Sequence, residues 1–301
     1  MSITPYTAIA VNRKKTYLIF AGFIAIFTLL FWVLGIVFGS SAEFVFLGFF
    51  ISIISSFTSY FFSDKIILKL HGAKPAKKEE FFDLYTITEN LCIATGMPMP
   101  KLYVINDPAP NAFATGRNPK NAVIAVTTGL LQRLDRSDLE GVIAHELSHI
   151  KNYDILVATI AAILASTIAI IADLALRSLW FRDSDSRKNS GIIMLIAIIS
   201  LILIPIAATL IRLAISRKRE LMADSTAVLI TRNPQGLIDA LIKISQSPQQ
   251  IKTYSSTAHL FFFNPFEKTK SFAAKISNLF STHPPIEDRI KNLQKMQGAI
   301  K

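Results

Sequence analysis

The chain contains very little cysteine, and this scarcity limits what it can be. Cys92 is the single cysteine among 301 residues, so an internal disulfide is excluded. It lies in an apolar helical pattern beside Leu91 and Ile93 and has no histidine near it in sequence, which favours a buried structural thiol over a catalytic one. An unpaired thiol also fits a domain that faces the reducing cytosol.

Charged residues are scarce as well. They make up 18% of the chain, whereas 51% of the residues are hydrophobic and the mean hydropathy is +0.42. This composition is too apolar for an ordinary soluble domain. Since about 20 residues cross a bilayer, four apolar stretches are predicted to be transmembrane helices, at residues 16–38, 45–62, 155–176 and 192–215. A buried helical hairpin in a soluble core is the alternative for the third and fourth stretches, because length alone does not separate the two.

Basic residues are absent between the first two stretches. Arg13, Lys14 and Lys15 precede the first stretch, and five lysines follow the second within residues 63–78. The positive-inside rule therefore places the N-terminus and residues 63–154 in the cytoplasm, although the basic loop at 180–190 runs against this pattern. The net charge of +11 is read as this orientation signal, so no nucleic-acid partner is expected. The first stretch exceeds a signal-peptide core and is predicted to stay as an anchor.

The spans divide the chain into four parts. Residues 1–62 contain transmembrane helices 1 and 2, and residues 63–154 form the first half of a cytoplasmic domain. Residues 155–215 contain helices 3 and 4, and residues 216–301 form the second half. Two spans between the halves return the chain to its starting side, so both halves can build one active site.

The first cytoplasmic block mixes helical and extended patterns. Residues 79–95 have helical spacing that stops at Gly96, shortly before two prolines. Residues 102–105, 111–116 and 122–127 are predicted to be strands of a small antiparallel sheet. A substrate backbone can add to the edge of such a sheet by main-chain hydrogen bonds; the alternative is that the sheet only supports the neighbouring helix.

An H-E-x-x-H motif follows this block. His145 and His149 are spaced i and i+4, so on a helix both imidazoles can bind one metal ion. Glu146 is offset enough to take a proton from a water molecule that the metal activates, which is typical of zinc-assisted hydrolysis. Ser137 and Glu140 match a capping box, which predicts that the helix starts there.

A catalytic zinc ion usually takes a third protein ligand. None of the remaining histidines, His71, His259 and His283, follows the motif at the spacing of the extended zinc signature. Beyond the fourth stretch, Glu220 and Asp224 are spaced i and i+4, so one carboxylate can bind the metal while the other orients a ligand imidazole. A solvated helix laced with charges is the alternative interpretation of this segment.

Four motifs in this order resemble the HtpX-type membrane zinc metalloproteases and, more distantly, the eukaryotic CAAX prenyl protease. They are N-A-F-A-T-G at residues 111–116, the H-E-x-x-H motif, residues 217–224 and H-P-P at residues 283–285. The resemblance covers nearly the whole chain.

The resemblance implies a role for each matching residue. His145, His149 and Glu220 look like the zinc ligands, Glu146 like the general base and Asp224 like the residue that orients a ligand. Roles near the substrate or the oxyanion are implied for Asn111 and His283. A donor to the oxyanion on a stiff, proline-bearing segment is one interpretation of His283, and a cap for the following helix is the other.

The expected fold class is an α+β membrane protein. It combines four transmembrane helices with a mostly helical cytoplasmic zinc peptidase domain of the gluzincin type that contains a small antiparallel sheet. The resemblance implies a zinc endopeptidase with one Zn²⁺ per chain, located in a bacterial inner (cytoplasmic) membrane with its active site facing the cytoplasm. The implied substrates are misfolded or damaged membrane proteins, cleaved in quality control under stress.

Two other functions fit part of the pattern. One is a maturation protease for particular membrane-tethered substrates, which the prenyl-protease relative suggests. The other is a non-catalytic, zinc-containing membrane scaffold. The intact Glu146 favours catalysis, because a structural zinc site needs closed coordination and no base. The oligomeric state is left open.

Overall fold

The computed structural model describes residues 5–180, 206, 209, 217–249, 257–263 and 284–300. In chain order the helices are α1 (Pro5–Phe38), α2 (Ser41–Leu70), α3 (Phe82–Thr95), α4 (Thr128–Arg133), α5 (Arg136–Lys151), α6 (Asp154–Trp180), α7 (Arg217–Thr231), α8 (Pro234–Ser245) and α9 (Ile286–Ile300). The strands are β1 (Lys74–Pro75), β2 (Lys101–Ile105), β3 (Ala112–Gly116) and β4 (Ala122–Thr127). Short 3₁₀ turns cover Pro119–Asn121 and Ala258–Leu260.

The first two helices form a hairpin of membrane-spanning length. α1 contains 34 residues and α2 contains 30, and both are apolar enough to cross a bilayer. Many of their large apolar side chains point outward: Leu18, Phe46 and Ile54 are 62%, 63% and 62% exposed. Outward apolar side chains of this kind face lipid when a helix spans a membrane. The first two predicted spans are confirmed as candidate membrane helices, with longer bounds than the sequence suggested.

Small residues form the face of α2 that packs against its neighbours. Gly48, Ser52, Ser56 and Ser59 are buried and recur every three or four positions, which keeps them on one side of the helix. A side chain at position 48 would begin 2.5 Å from the Cβ atom of Phe31, so glycine is needed for this close approach to α1. Membrane helices associate through such small residues because lipid provides no hydrophobic drive between them.

The third predicted span lies in α6, which begins after a sharp bend. α5 and α6 meet at 83°, and as one bent unit they could form a broken span or a re-entrant loop. Val157, Ile160, Leu164 and Ile168 in the first half of α6 have no exposed surface, because α1 and α2 pack around them. The fourth predicted span, residues 192–215, lies outside the described residues apart from positions 206 and 209. The described structure therefore establishes two candidate membrane helices, and the prediction of four is not confirmed.

The small sheet is mixed, whereas the sequence pattern predicted an antiparallel one. Its strand order is β1-β2-β4-β3. The β3–β4 hairpin and the β1–β2 pair are antiparallel, but β2 and β4 are parallel. The hairpin docks on β2 through its second strand, which leaves β3 at the edge of the sheet. The three predicted strands are confirmed, and the antiparallel description is only partly accurate.

Helix α5 is the centre of the globular domain. Its apolar side, including Val142, Ile143 and Leu147, is fully buried against α3, α7 and α8. A side chain at Gly141 would lie 2.9 Å from the backbone nitrogen of Leu237 in α8, so the two helices pack backbone to backbone at this point. This close packing fixes the axis of the helix that carries the H-E-x-x-H motif.

The start of α5 differs from the predicted capping box. The Asp135 carboxylate accepts a hydrogen bond from the backbone N–H of Asp138 at 3.0 Å, and the Asp138 carboxylate accepts one from the backbone N–H of Asp135 at 3.3 Å. The hydroxyl of Ser137 instead accepts a hydrogen bond from the side chain of Asn233 at 2.8 Å. Aspartate is as good an N-cap as serine, and Asp135 comes first along the chain.

The single cysteine is buried in the domain core. Cys92 is 5% exposed, and burial raises the pKa of its thiol to about 11, so it stays protonated at neutral pH. The prediction of a buried thiol is confirmed. Helix α3, which carries it, ends at Gly96 in a left-handed conformation with φ of 66°, as the sequence predicted.

Candidate metal centre

Two helices bring three metal-binding side chains together. His145 and His149 project from α5, and Glu220 projects from the first turn of α7. The Nε2 atoms of the two histidines lie 3.1 Å apart. Oε2 of Glu220 is 3.7 Å from Nε2 of His145, and Oε1 of Glu220 is 3.5 Å from Nε2 of His149. The side chains of His145 and Glu220 are buried, and that of His149 keeps 14% exposure.

These donor atoms fit one metal ion. Ligand atoms at 2.0–2.2 Å from a tetrahedral zinc ion lie about 3.3 Å from one another. The two Nε2 atoms are 3.1 Å apart, and each lies 3.5 or 3.7 Å from one of the two carboxylate oxygens of Glu220, close to that value. Two imidazole nitrogens and a carboxylate oxygen are also the donor types of a catalytic zinc site with a fourth position open. Within the described ranges, this is the one cluster of His, Cys, Asp and Glu side chains that could hold a metal ion.

A buried ion pair holds His145. Its Nδ1 atom donates a hydrogen bond to Oδ1 of Asp224 at 2.9 Å. Arg289 of α9 donates two hydrogen bonds to the same carboxylate, at 2.9 Å from Nε and at 2.6 Å from Nη2. The guanidinium also lies 4.6 Å from the centre of the Phe262 ring. All three polar residues are buried, so this arrangement keeps the proton of neutral His145 on Nδ1 and makes its Nε2 atom an acceptor that can bind a metal ion.

A second carboxylate holds His149, at the junction with the first membrane helix. Nδ1 of His149 donates a hydrogen bond to Oδ2 of Asp154 at 3.0 Å. Oδ1 of Asp154 accepts hydrogen bonds from the side chains of Asn12 at 2.7 Å and Arg219 at 3.0 Å. Asn12 also donates to the carbonyl of Asn152 at 2.9 Å and accepts from Arg219 at 2.7 Å. Helix α1 therefore reaches the candidate metal site through one buried amide.

The bend between α5 and α6 makes this second contact possible. Tyr153 has φ of 60°, in the left-handed region that a residue with a side chain rarely adopts. Residues five positions apart do not face each other along one continuous helix. The turn at Tyr153 brings Asp154 back beside His149, and the hydrogen bonds of Asn12 to both neighbours of Tyr153 hold the turn in place.

The two histidines have different electrostatic surroundings. Burial lowers the pKa of His145 to about 4. Burial also opposes the charged form of His149, but the carboxylates of Glu220, Asp154 and Glu146 outweigh this effect and raise its pKa to about 9. In the metal-free site, His149 therefore carries a proton at neutral pH and His145 is neutral.

Glu146 lines a cavity beside the three donors. The cavity has a volume of about 50 Å³, and its wall includes Ala114 of β3, His259 and Phe262. Glu146 is 2% exposed and lies within the electrostatic reach of His149. A carboxylate in this position can move a proton between a water molecule and a leaving group in the cavity.

The outer edge of β3 faces the same cavity. The backbone N–H of Thr127 donates to the carbonyl of Asn111, so the odd-numbered residues of this hairpin pair with β4 and the even-numbered ones point outward. Accordingly, the carbonyl of Ala112 accepts a hydrogen bond from the backbone N–H of Phe262 at 2.7 Å. Ala114, which lines the cavity, therefore directs its backbone N–H and carbonyl towards the side where an added strand would lie.

The two residues predicted near the oxyanion have different outcomes. The side chain of Asn111 donates to the carbonyl of Phe263 at 2.8 Å and accepts from its N–H at 3.0 Å, which holds segment 257–263 over the edge of β3. His283 lies outside the described residues. The oxyanion role of each stays a prediction.

The structure adds three residues that the sequence analysis missed. Asp154 and Asn12 support His149, and Arg289 supports Asp224. The Asn12–Asp154 and Asp224–Arg289 pairs are separated by 142 and 65 residues, so no local spacing connects them. In the sequence, Asn12 is a polar residue just before the basic cluster at 13–15. That position was the available signal, but it does not identify a partner.

A buried carboxylate beside three convergent metal donors, next to a strand edge that can take a peptide backbone, is typical of a metallopeptidase. Comparison with known proteins identifies which group of metallopeptidases this is. The family model described as Peptidase family M48 matches residues 78–297, and the chain belongs to this family.

Similar proteins extend over nearly the full length of the chain. The Protease HtpX homolog of Caldanaerobacter subterraneus subsp. tengcongensis is 46% identical over 305 residues, which cover 97% of this chain and 98% of the relative. The Protease HtpX homolog of Dictyoglomus thermophilum is 44% identical over 296 residues, with 97% and 95% covered. The crystal structure of S. mikatae Ste24p shares the fold, with a TM-score of 0.50 at 18% identity, covering 96% of this chain and 67% of that one. The resemblance drawn from the four motifs is confirmed, and the chain is a membrane-bound metalloprotease.

Proposed function

We propose that this chain is an endopeptidase that holds one Zn²⁺ through His145, His149 and Glu220. One observation carries the assignment: the Nδ1 atoms of both histidines donate to carboxylates, at 2.9 and 3.0 Å, so both Nε2 lone pairs point at the same place. In the metal-free site the proton on Nε2 of His149 bridges the 3.1 Å gap to Nε2 of His145, and a zinc ion that displaces this proton can be bound by both nitrogens.

Glu146 is the general base in this proposal. When bound, zinc polarises the scissile carbonyl and brings the pKa of a water molecule towards about 7. Glu146 takes a proton from this water as the water oxygen attacks the carbonyl carbon. It then gives the proton to the amine nitrogen, which leaves as the C–N bond breaks. Asp224 and Asp154 keep the two imidazoles in their tautomers throughout. A substrate backbone paired with the edge at Ala114 brings its scissile bond into the cavity.

We place the enzyme in a bacterial inner (cytoplasmic) membrane with its active site on the cytoplasmic face. α1 and α2 provide two spans, and α6 and residues 192–215 are proposed as two more. This gives the division into residues 1–62, 63–154, 155–215 and 216–301. Support comes from the basic side chains near the ends of α1 and α2 that adjoin the catalytic domain, such as Arg13 and Lys65.

The proposed substrates are misfolded or damaged membrane proteins, cleaved in quality control under stress. The site lies where the membrane hairpin meets the catalytic domain, since Asn12 of α1 bonds to the residue that holds His149. An edge strand recognises a substrate mainly through its backbone, which suits a protease that accepts many unfolded sequences. A maturation protease for particular tethered substrates would instead leave a general unfolded substrate uncut.

The purified parent chain and three variants test this function. The parent chain, Glu146→Gln and the matched control Glu140→Gln, which changes another glutamate of α5, are compared for zinc content and for cleavage of casein in detergent. Each should bind about one zinc per chain, and Glu146→Gln should lose about 10²- to 10⁴-fold in rate while the control keeps its activity. Equal cleavage by parent and Glu146→Gln would refute the assigned base. Glu220→Ala should lose the metal; full zinc content in that variant would refute the ligand set.

A further inference from the structure

A second cavity lies where α1 and α2 meet the turn between β3 and β4. Its volume is about 150 Å³, which is room for several water-sized groups. Its lining includes two arginines, Arg13 and Arg117, and three tyrosines, Tyr17, Tyr60 and Tyr153. Neither the proposed metal ligands nor Glu146 line it, so it is separate from the catalytic cavity.

The two arginines are positioned by aromatic rings. The guanidinium carbon of Arg117 lies 5.0 Å from the centre of the Phe61 ring and 6.0 Å from that of Tyr60. The guanidinium carbon of Arg13 lies 5.1 Å from the centre of the Tyr153 ring. In the part of the chain that the structure describes, neither arginine forms an ion pair with a carboxylate. The cavity thus presents two positive groups that an anion can neutralise.

The position of the cavity along α1 and α2 places it at the surface of a bilayer. At 1.5 Å per residue, Tyr60 lies about 28 Å along α2 from its first residue, and Tyr17 lies about 32 Å along α1 from its last. The hydrocarbon core is about 30 Å thick. A hairpin that spans the bilayer therefore brings both tyrosines to the interface, where tyrosine side chains are enriched, and Arg13 and Arg117 to the level of the headgroups.

We propose that this cavity binds the phosphate group of an anionic phospholipid. Guanidinium groups form paired, charge-assisted hydrogen bonds with phosphate oxygens, and basic pockets between membrane helices are suited to anionic headgroups. The inference rests on the part of the proposed function that makes α1 and α2 membrane spans. Bound lipid would contact Tyr153, which lies at the bend beside His149. The two neighbours of Tyr153, Asn152 and Asp154, are hydrogen-bonded to Asn12, so bound lipid would also stabilise this bend.

Lipid binding can be measured without peptidase activity, so a failure here is distinct from a failure of the proposed function. The Glu146→Gln chain is purified in detergent and titrated with phosphatidylglycerol, phosphatidylcholine or inorganic phosphate, and bound lipid is counted by native mass spectrometry. The test variant is Arg13→Gln/Arg117→Gln. The control is Lys65→Gln/Lys69→Gln, which removes the same charge from exposed positions of α2 outside the cavity.

The proposal expects one preferred phosphatidylglycerol site whose affinity falls at least about tenfold in the arginine variant and less than about twofold in the lysine control. Arg117→Lys should give an intermediate loss, because lysine keeps the charge but not the paired hydrogen bonds. Equal losses in the two double variants would overturn the proposal in favour of diffuse surface attraction. Equal affinity for phosphatidylcholine would contradict recognition of an anionic headgroup. Displacement of the lipid by millimolar inorganic phosphate would contradict a lipid site and assign the cavity to free phosphate.

Discussion

The two histidines of the metal centre are held in different ways. His145 depends on the buried ion pair between Asp224 and Arg289, which links it to helices α7 and α9 of the globular domain. His149 depends on Asp154, which is shared with Asn12 of α1 and keeps about 10% side-chain exposure. One half of the site is therefore anchored in the core of the globular domain, and the other half at its junction with the candidate membrane helix α1.

This difference predicts that mutations in the two halves of the site have different effects. When one member of a buried carboxylate–guanidinium pair is removed, the other is left as an unpaired charge that water does not reach. This costs a large part of the folding free energy. A partly hydrated carboxylate with several weaker partners can lose one of them at a smaller cost. We expect changes around His145 to unfold the domain, and changes around His149 to alter metal binding in a domain that stays folded.

Asp224→Ala should have the largest effect on stability. It leaves Arg289 charged in a site where it is 1% exposed, so the free energy of unfolding should fall by about 3–5 kcal/mol. Chemical denaturation in detergent measures the change. Asp224→Ala/Arg289→Ala removes both charges and should be less unstable than the sum of the single variants. Strict additivity would show that the ion pair does not anchor this half of the site.

Asp154→Ala should mainly weaken zinc binding. Loss of the hydrogen bond to Nδ1 of His149 removes the control of its tautomer, and such losses lower metal affinity by about 10- to 100-fold. Competition with a zinc chelator measures the affinity. Asp154→Asn keeps one acceptor oxygen and should lie between the parent and the alanine variant. If zinc affinity is unchanged while the domain unfolds, the two halves of the site are not distinct.

Zinc binding should release about one proton at neutral pH, and the proton should come from His149. Its pKa of about 9 in the metal-free site lies above its ordinary value, so the proton is held until the pH approaches 9 and zinc must displace it. Apparent affinity should rise about tenfold per pH unit towards 9 and then level off. His145, with a pKa of about 4, should contribute no proton in this range. Calorimetry in buffers of different protonation heat counts the protons; a count of two or none would contradict the assignment.

Asn12→Ala should have the smallest effect. It removes the hydrogen bonds of Asn12 to the Asp154 carboxylate and to the carbonyl of Asn152, and the one that Asn12 accepts from Arg219. Because Arg219 stays beside the carboxylate, zinc affinity should fall by only about three- to tenfold. The matched control is Thr16→Val, one turn further along α1, where the hydroxyl donates to the carbonyl of Asn12 and has no other hydrogen bond among the described residues. The same chelator competition compares the two variants. An equal loss in both would show that α1 acts through general packing.

Local patterns in the sequence were enough to predict much of the fold. The long apolar stretches predicted α1, α2 and α6, and short segments bounded by turn residues predicted β2, β3 and β4, because hydropathy and turn residues are read along the chain. The predicted antiparallel arrangement was wrong for the β2–β4 pair, since these strands are parallel because of where the β3–β4 hairpin docks. The sequence also left open whether α6 is buried in protein or faces lipid, because an apolar helix has the same composition in both environments.

The sequence by itself determined which side chains can do the chemistry. Spacing of three and four residues on a helix places His145, Glu146 and His149 together and, separately, Glu220 and Asp224. Only the tertiary structure decided that these two sets meet, that Arg289 seals one side, and that the left-handed turn at Tyr153 brings Asp154 and Asn12 to the other. The physical reason is that helical periodicity acts over one or two turns, whereas contacts across 65 or 142 residues depend on how whole helices pack.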